Sequence, residues 1–310
     1  EAAKRKRVNE RTEEEKRLLE EARERKKNRD TAISILRGIS IRMPLLIYGA
    51  DVSNETEAIT IDNFAELIDD QSWEEFMPKG VTFKRFKKYY EPDVFRAAGR
   101  RIRAMARAAD DLTIEQRIER ITHIFSSFRN PDKETVLTPW RVVNMHLGDT
   151  LGGYIFLDEN RKETNIEPNF VSQGEVTENV FSPAARILEI NSKSGLYPLY
   201  VTYSIFRNRI EEKHPNVEPD RLPIKEQLEL WDKTIEENIF VICKTPMAKS
   251  ITRRTLVGFR SVDKVNTRYF EDLENQITNK ADKFVRRIKR GEVYWKANND
   301  DNMKFNAIVG

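Results

Sequence analysis

Short apolar runs alternate with helical patterns from about residue 131 onward, and this alternation constrains the fold more than any other feature of the chain. The strand-like runs are residues 186–190, 238–243 and 303–310. Amphipathic helical patterns separate them, at residues 196–213, 224–237 and 270–290. Such alternation predicts a mostly parallel sheet covered by helices, so we expect an α/β fold. The stretch 158–182 is rich in Asn, Glu and Thr and is expected to form an inserted loop.

The first 130 residues carry helical patterns instead. Residues 1–30 are dense in charges of both signs, which predicts a long solvated helix. Further along, Thr113 and Gln116 have the spacing of a capping box ahead of an apolar stripe that we expect in the core. The members of that stripe are Ile114, Ile118, Ile121 and Phe125. Residues 130–132 (Asn-Pro-Asp) mark a break, so we expect a helical coupler over 1–130 and a second domain over 131–310.

The amino-acid composition limits the kinds of partner that this chain can bind. The net charge of the 310 residues is only +3 although 34% of them are charged, so nucleic-acid binding would have to come from local patches. One cysteine, no apolar run of membrane length and no signal peptide predict a reducing cytoplasm and no membrane partner. The histidines show no ligand spacing with Cys243, so no metal site is expected. No phosphate-binding Gly-x-x-x-x-Gly-Lys-Ser/Thr sequence occurs either.

Residues 187–195 (Ile-Leu-Glu-Ile-Asn-Ser-Lys-Ser-Gly) form the most chemically suggestive segment. A strand here would deliver Glu189 to the carboxyl end of a parallel sheet, where ligands of open α/β sheets bind. Ser194 and Gly195 would then open a helix whose backbone N–H groups face the carboxylate of a bound amino-acid group. The alternative is a plain strand, turn and helix in which Gly195 serves only the turn.

Three segments, in order, resemble the motifs of adenine-N6 DNA methyltransferases. Residues 134–145 (Glu-Thr-Val-Leu-Thr-Pro-Trp-Arg-Val-Val-Asn-Met) are similar to Tyr/Phe-Thr-Pro-x-x-Val-Val-x-x-Met, and residues 187–195 to Val-Leu-Asp-Pro-x-x-Gly-Ser-Gly. Residues 303–310 (Met-Lys-Phe-Asn-Ala-Ile-Val-Gly) resemble the strand that precedes the catalytic Asn-Pro-Pro-Tyr loop. The resemblance implies a partial Rossmann-like sheet that binds S-adenosylmethionine, the methyl donor for adenine N6.

The resemblance also assigns residues to the cofactor. Thr138 and Pro139 would lie against its methionine part. Residues 238–248 are similar to Ile-x-Gly-Ile-Asp-Ile-Asn-Pro-x-Ala, with Cys243 in place of the Asp that holds the ribose. Lys193 replaces the first Gly of the cofactor loop. The full set implied to bind S-adenosylmethionine is Thr138, Pro139, Glu189, Asn191, Ser194, Gly195 and Cys243.

A further resemblance concerns partners. Residues 33–50 are similar to the stretch that joins the motor domain to the methylase in restriction enzymes with a fused helicase, which implies helicase or nuclease domains in the same polypeptide. Residues 76–90 are basic and aromatic, and their lysines could contact a phosphate backbone. The alternative is a helix that buries Phe83, Phe86 and Tyr90 and directs its lysines outward. Arg100, Arg101, Arg103 and Arg107 are predicted to form one positive surface. The candidate contacts to double-stranded DNA are Lys87, Arg100 and Arg101, with a plain solvated helix face as the alternative.

These observations predict part of a bacterial restriction-modification DNA methyltransferase. Residue 1 is Glu, and no Asn-Pro-Pro-Tyr loop occurs, so we expect a piece of a longer polypeptide that is inactive alone and holds no catalytic residue. The alternative is a non-catalytic scaffold with a degenerate methyltransferase fold that couples a DNA motor to other domains. Codons for Asn-Pro-Pro-Tyr directly after Gly310 would favour the enzyme.

Overall fold

The structure is a computed structural model. It describes residues 12–51, 58–77, 80–88, 90–127, 137–270, 273–296 and 302–304. The predicted break at 130–132 and the end of the predicted strand at 305–310 lie outside these ranges.

The described residues of the amino-terminal region contain five α-helices. Their bounds are α1 Glu13–Gly49, α2 Asp70–Phe76, α3 Phe83–Lys87, α4 Pro92–Arg107 and α5 Ile114–Ser127. A capping box between Thr12 and Glu15 starts α1. Charged residues leave the first half of α1 exposed, as predicted, whereas its last turns from Leu45 to Ala50 are buried in the core. The predicted capping box of Thr113 and Gln116 is confirmed, and so is the burial of the apolar stripe on α5.

A β-hairpin follows α6 (Trp140–Thr150). Strand β1 (Gly153–Leu157) pairs antiparallel with β2 (Thr164–Val171), and α7 (Glu175–Val180) comes next. The prediction of an inserted loop over 158–182 was therefore wrong. Strand β2 is mostly exposed. Ile166, Pro168 and Phe170 alternate with polar residues, but a proline within such a run argues against a strand in the sequence.

The second sheet has the order β3-β4-β5-β6-β7. Its strands are β3 Ile187–Ser192, β4 Ile239–Cys243, β5 Asn266–Tyr269, β6 Tyr294–Lys296 and β7 Asn302–Lys304. The first three are parallel, and the last two pairings are antiparallel. A mixed helix and sheet fold is thus present, with the predicted parallel arrangement over β3, β4 and β5. The part of the predicted 303–310 strand that is described runs antiparallel to β6.

Helices connect these strands. They are α8 Leu196–Lys213, α9 Ile224–Asn238, α10 Pro246–Val257, α11 Leu273–Asn279 and α12 Ala281–Lys289. Helices α8 and α9 have the predicted bounds to within a residue. The single helix predicted over 270–290 is instead two, because Lys280 leaves helical dihedral angles. The break allows Leu273 and Phe284 to pack together with Phe240 and Ile242 in a small separate core.

One main core joins the two parts of the chain. It contains Leu46 and Tyr48 from α1, Ile118 from α5, and Tyr203 and Ile251 from the helices that flank the sheet. The packing is close: a Cβ placed on Gly49 would lie 2.4 Å from Met247 Sδ and 2.5 Å from Ile251 Cγ1. Helix α1 therefore packs directly on α10. Within the described ranges, no helix combines the length and the apolar character needed to cross a bilayer.

Candidate functional site

The end of β3 and the loop after it fold tightly onto α10. Asn191 is exposed, has a φ of 72°, and marks a shift in the register between β3 and β4. The buried Ser192 hydroxyl lies 3.3 Å from Thr252 Oγ1 and accepts a hydrogen bond from the Gly195 amide, also at 3.3 Å. The Ser194 carbonyl accepts a hydrogen bond from Thr255 Oγ1 at 2.7 Å. Side chains of α10 thus hold both ends of this loop.

Gly195 is needed here for two reasons. Its φ of 76° is a left-handed conformation, and a Cβ would lie 3.0 Å from Thr252 Cα. The amides around it are paired locally, since the Leu196 amide donates to Ser194 Oγ at 3.4 Å. Gly195 therefore serves the turn and the close approach of α10.

Glu189 lies beside a small apolar cavity of about 170 Å³. The cavity is lined by Leu147, Leu151, Ile187, Tyr197, Pro198, Val201, Ile239 and Phe240. Burial raises the pKa of Glu189 to about 8, although a hydrogen bond with Ser192 acts in the opposite direction. Its Oε2 atom is buried and has no hydrogen-bond partner in the described part of the chain. A buried carboxyl with an unused oxygen is poised to bind a hydrogen-bond donor or a cation.

Tyr197 beside Glu189, and His146 as the partner of Tyr197, were not singled out as site residues by the sequence. Tyr197 lines the same cavity, and its hydroxyl lies 3.2 Å from His146 Nδ1. Burial raises the pKa of Tyr197, and the nearby charge of Glu189 adds to the rise. Both residues follow predicted motifs by a few positions, but only the packing of α6 against α8 brings them together.

A larger cavity of about 810 Å³ adjoins the Thr-Pro motif. Thr138 and Pro139 form part of its wall at the start of α6, and Leu196 reaches it from the start of α8. The other described lining residues are Met105, Glu119, Arg120, Thr122, His123, Phe125, Ser126, Leu137, Trp140, Arg141 and Thr164. Two of the predicted cofactor segments therefore meet at this cavity.

Cys243 lies elsewhere. Its side chain is completely buried at the end of β4, next to Met247 and Ala248 in the main core. Burial raises the pKa of its thiol strongly, and a hydrogen bond with Thr252 lowers it in part. The residue borders neither cavity described above. The structure thus places Thr138 and Pro139 at the larger cavity, Glu189 at the smaller one, and Ser194 and Gly195 in the loop held by α10. Cys243 lies in the core beside α10.

The predicted positive surface on α4 is only partly present. Arg100 and Arg101 are exposed, as expected. Arg103 and Arg107 instead turn inward, and each guanidinium stacks 5.1 Å from the centre of the Phe259 ring. The prediction of one surface of four arginines was therefore wrong, because an aromatic face can hold a guanidinium below the surface.

The described lysines of the segment 76–90, which are Lys84, Lys87 and Lys88, are exposed. Lys87 is exposed and forms an ion pair with Asp62. Phe83 and Tyr90 pack inward, as the alternative interpretation of this segment predicted, whereas the side chain of Phe86 lies outside the described residues. The rings of Phe83 and Trp73 lie 5.7 Å apart, and those of Tyr90 and Phe95 lie 6.0 Å apart.

Comparison with known families gives one match. Residues 237–310 match the family described as Eco57I restriction-modification methylase. This segment contains β4, α10, β5 and the elements that follow. Searches of curated proteins and of solved structures gave no match. The match supports a restriction-modification methylase family, which agrees with the family suggested by the motifs further upstream.

Proposed function

We propose that this chain is the coupling and cofactor-binding part of a restriction-modification DNA methyltransferase that transfers a methyl group from S-adenosylmethionine to adenine N6. Residues 1–130 would be the coupler to helicase or nuclease domains of the same polypeptide, and 131–310 the incomplete methyltransferase core. The proposal is supported by the order of the three motifs and by the family match over 237–310.

The cavity next to Thr138 and Pro139 is the observation that carries this proposal. Its volume of about 810 Å³ suits a ligand of the size of S-adenosylmethionine. Leu196 in its wall directly follows Gly195, so the cavity also adjoins the end of the second segment that the resemblance assigns to the cofactor. When bound, S-adenosylmethionine supplies a methyl group on a positively charged sulfur, which makes that group reactive toward an amine.

Glu189, which the resemblance also assigns to the cofactor, lines the smaller cavity and not the one next to Thr138, and it would hold a cationic group there. Its Oε2 atom is buried and unpaired within the described chain, which fits a site that needs a charged donor. A nearby cation would favour the ionised form and lower the raised pKa of Glu189. Tyr197 lines the same cavity and would cover the bound group on its apolar side.

A second candidate, a scaffold without cofactor, is favoured by two other observations. Cys243 is enclosed by protein and offers no acceptor pair for a ribose. Lys193 forms an ion pair with Glu75, so it is engaged within the protein. A methyltransferase fold that retains its packing but no longer binds a cofactor would serve only to connect domains.

Calorimetry with S-adenosylhomocysteine tests the proposed function. We expect binding in the micromolar to millimolar range, on the scale of about −4 to −8 kcal/mol. Thr138→Trp should weaken binding at least about tenfold by filling the cavity, which corresponds to roughly 1.4 kcal/mol. Thr31→Trp, at an exposed position on α1, is the matched control and should bind as the parent chain does. No heat from the folded parent chain would reject the enzyme and leave the scaffold.

A further inference from the structure

The short helix α2 covers the carboxyl ends of all three parallel strands. At β3, Glu75 forms an ion pair with Lys193, one residue beyond the strand. At β4, the other oxygen of Glu75 lies 3.0 Å from Lys244 Nζ. At β5, the last residue, Tyr269, donates a hydrogen bond from its hydroxyl to Gln71. This edge of a parallel sheet is where open α/β folds bind their ligands.

The same helix also occupies the start of α10. Ser72 is completely buried, and its hydroxyl accepts a hydrogen bond from the Met247 amide at 3.0 Å. The Met247 amide belongs to the first turn of α10, where backbone N–H groups have no partner within the helix and attract anions. A side chain of α2 therefore satisfies a donor that is otherwise available to a ligand.

Glu75 is held as a charged group in partly buried surroundings. Its side chain is only 18% exposed, and those of Lys193 and Lys244 are 30% and 27% exposed. Burial by itself would raise the pKa of Glu75, but hydrogen bonds from the two lysines lower it below its ordinary value. Two lysines thus converge on one carboxylate, an arrangement that is also expected around a bound oxyanion.

The opposite side of α2 is anchored independently. Phe76 is completely buried, and Trp73 packs at 6.4 Å from the ring of Phe64 and donates a hydrogen bond to the Val81 carbonyl at 2.6 Å. The ion pairs of Glu75 are therefore not what holds α2 in its helical form. This separation allows the polar face of α2 to leave the strand ends while the aromatic side remains packed.

We propose that Lys193, Lys244 and the Met247 amide at the start of α10 form an oxyanion site, and that α2 occupies this site as an internal competitor, with Glu75 on the two lysines and Ser72 on the amide. The ligand group is a carboxylate or a phosphate, and it binds when Glu75 is displaced. The site is distinct from the cavity at Thr138, so it does not depend on the proposed function. The apparent affinity for the ligand is then the intrinsic affinity multiplied by the fraction of molecules in which the site is open.

Glu75→Gln and Glu74→Gln form a matched pair for the test. Both remove one negative charge from α2, but Glu74 is exposed, whereas Glu75 contacts the lysines. Thermal unfolding is followed in inorganic phosphate and in sodium chloride of equal ionic strength. We expect phosphate to stabilise Glu75→Gln at about tenfold lower concentration than it stabilises the parent chain or Glu74→Gln. Adding Lys193→Gln to Glu75→Gln should abolish that gain.

The same stabilisation by phosphate in the parent chain and both single variants would overturn the proposal, since it would show a general charge effect. If Glu75→Gln does not fold, amide exchange of residues 70–76 in the parent chain decides. Phosphate should then accelerate exchange relative to chloride, and unchanged exchange would equally reject the site.

Repeating the titrations with S-adenosylhomocysteine identifies the source of the oxyanion. If S-adenosylhomocysteine also stabilises Glu75→Gln more than the parent chain, the site accepts a carboxylate. If only phosphate does so, the ligand group is a phosphate. Failure of S-adenosylhomocysteine to bind any form would count against the proposed function, while the phosphate result would still decide on the oxyanion site.

Discussion

Glu189→Gln should make the stability of the chain much less dependent on pH. In the folded chain the pKa of Glu189 is about 8 because of burial, compared with an ordinary value of 4.5. Between these two values the folded state binds one more proton than the unfolded state, so stability falls as the pH rises. Below the ordinary value both states are protonated, and above about 8 both are ionised. The decrease in stability is therefore confined to the range from 4.5 to about 8.

The magnitude follows from the pKa values. Each pKa unit corresponds to about 1.4 kcal/mol, so the full rise from 4.5 to about 8 sets an upper bound of about 5 kcal/mol. Water entry into the small cavity and relaxation of the side chain reduce this, and we expect the parent chain to become less stable by about 2 to 4 kcal/mol relative to Glu189→Gln across this range. Glutamine has the shape of protonated glutamate but does not ionise.

Urea denaturation at a series of pH values measures this difference. Glu178→Gln, at an exposed position, is the control and should follow the parent chain. Parallel stability curves for the parent chain and Glu189→Gln would show that the carboxyl of Glu189 is solvated in the folded protein. The argument that it forms a buried, unpaired acceptor would then fail.

Two further predictions concern Cys243 and the exposed arginines. Cys243→Asp should be less stable than Cys243→Ala by about 3 to 5 kcal/mol at neutral pH, because the side chain is completely buried. Urea denaturation measures this difference. Equal stability of the two variants would mean that the position opens to solvent or ligand, as a ribose-binding role requires. Changing Arg100 and Arg101 to Glu should weaken sequence-independent DNA binding. The slope of log K against log salt concentration should become shallower by about 0.9 for each phosphate that is no longer neutralised. The same change at the exposed Arg23 and Lys26 of α1 is the control for net charge. An unchanged slope in a gel-shift series would identify Arg100 and Arg101 as a plain solvated face.

Sequence patterns located the elements whose signals are local. Helix α8 begins directly after Gly195, whose left-handed conformation separates it from β3, and its predicted bounds match the structure. The capping box at Thr113 and the apolar stripe of α5 depend on neighbours within a few residues, so the sequence shows them directly. The buried strand β4 is apolar throughout and was equally clear.

Features that depend on distant parts of the chain could not be predicted. Arg103 donates to the Ala50 carbonyl at 2.8 Å and stacks on Phe259, and neither partner is near it in the sequence. Its charge on an amphipathic helix indicates a solvated position unless those partners are known. Glu75 likewise lies in a helix that carries no signal for the lysines at residues 193 and 244, although these lysines determine its role at the strand ends.

Helix α10 is the element through which the helical region and the sheet are connected. Ser72 of α2 binds its first turn, and Gly49 of α1 packs against its apolar side. Beyond its last turn, Asp110 accepts a hydrogen bond from the Phe259 amide at 2.7 Å, and Arg103 stacks on the same phenylalanine. Helix α10 also joins β4 to β5 and holds the loop at Gly195 through Thr252 and Thr255. A displacement of the helical region would therefore act on the strand ends and on the loop at Gly195 together.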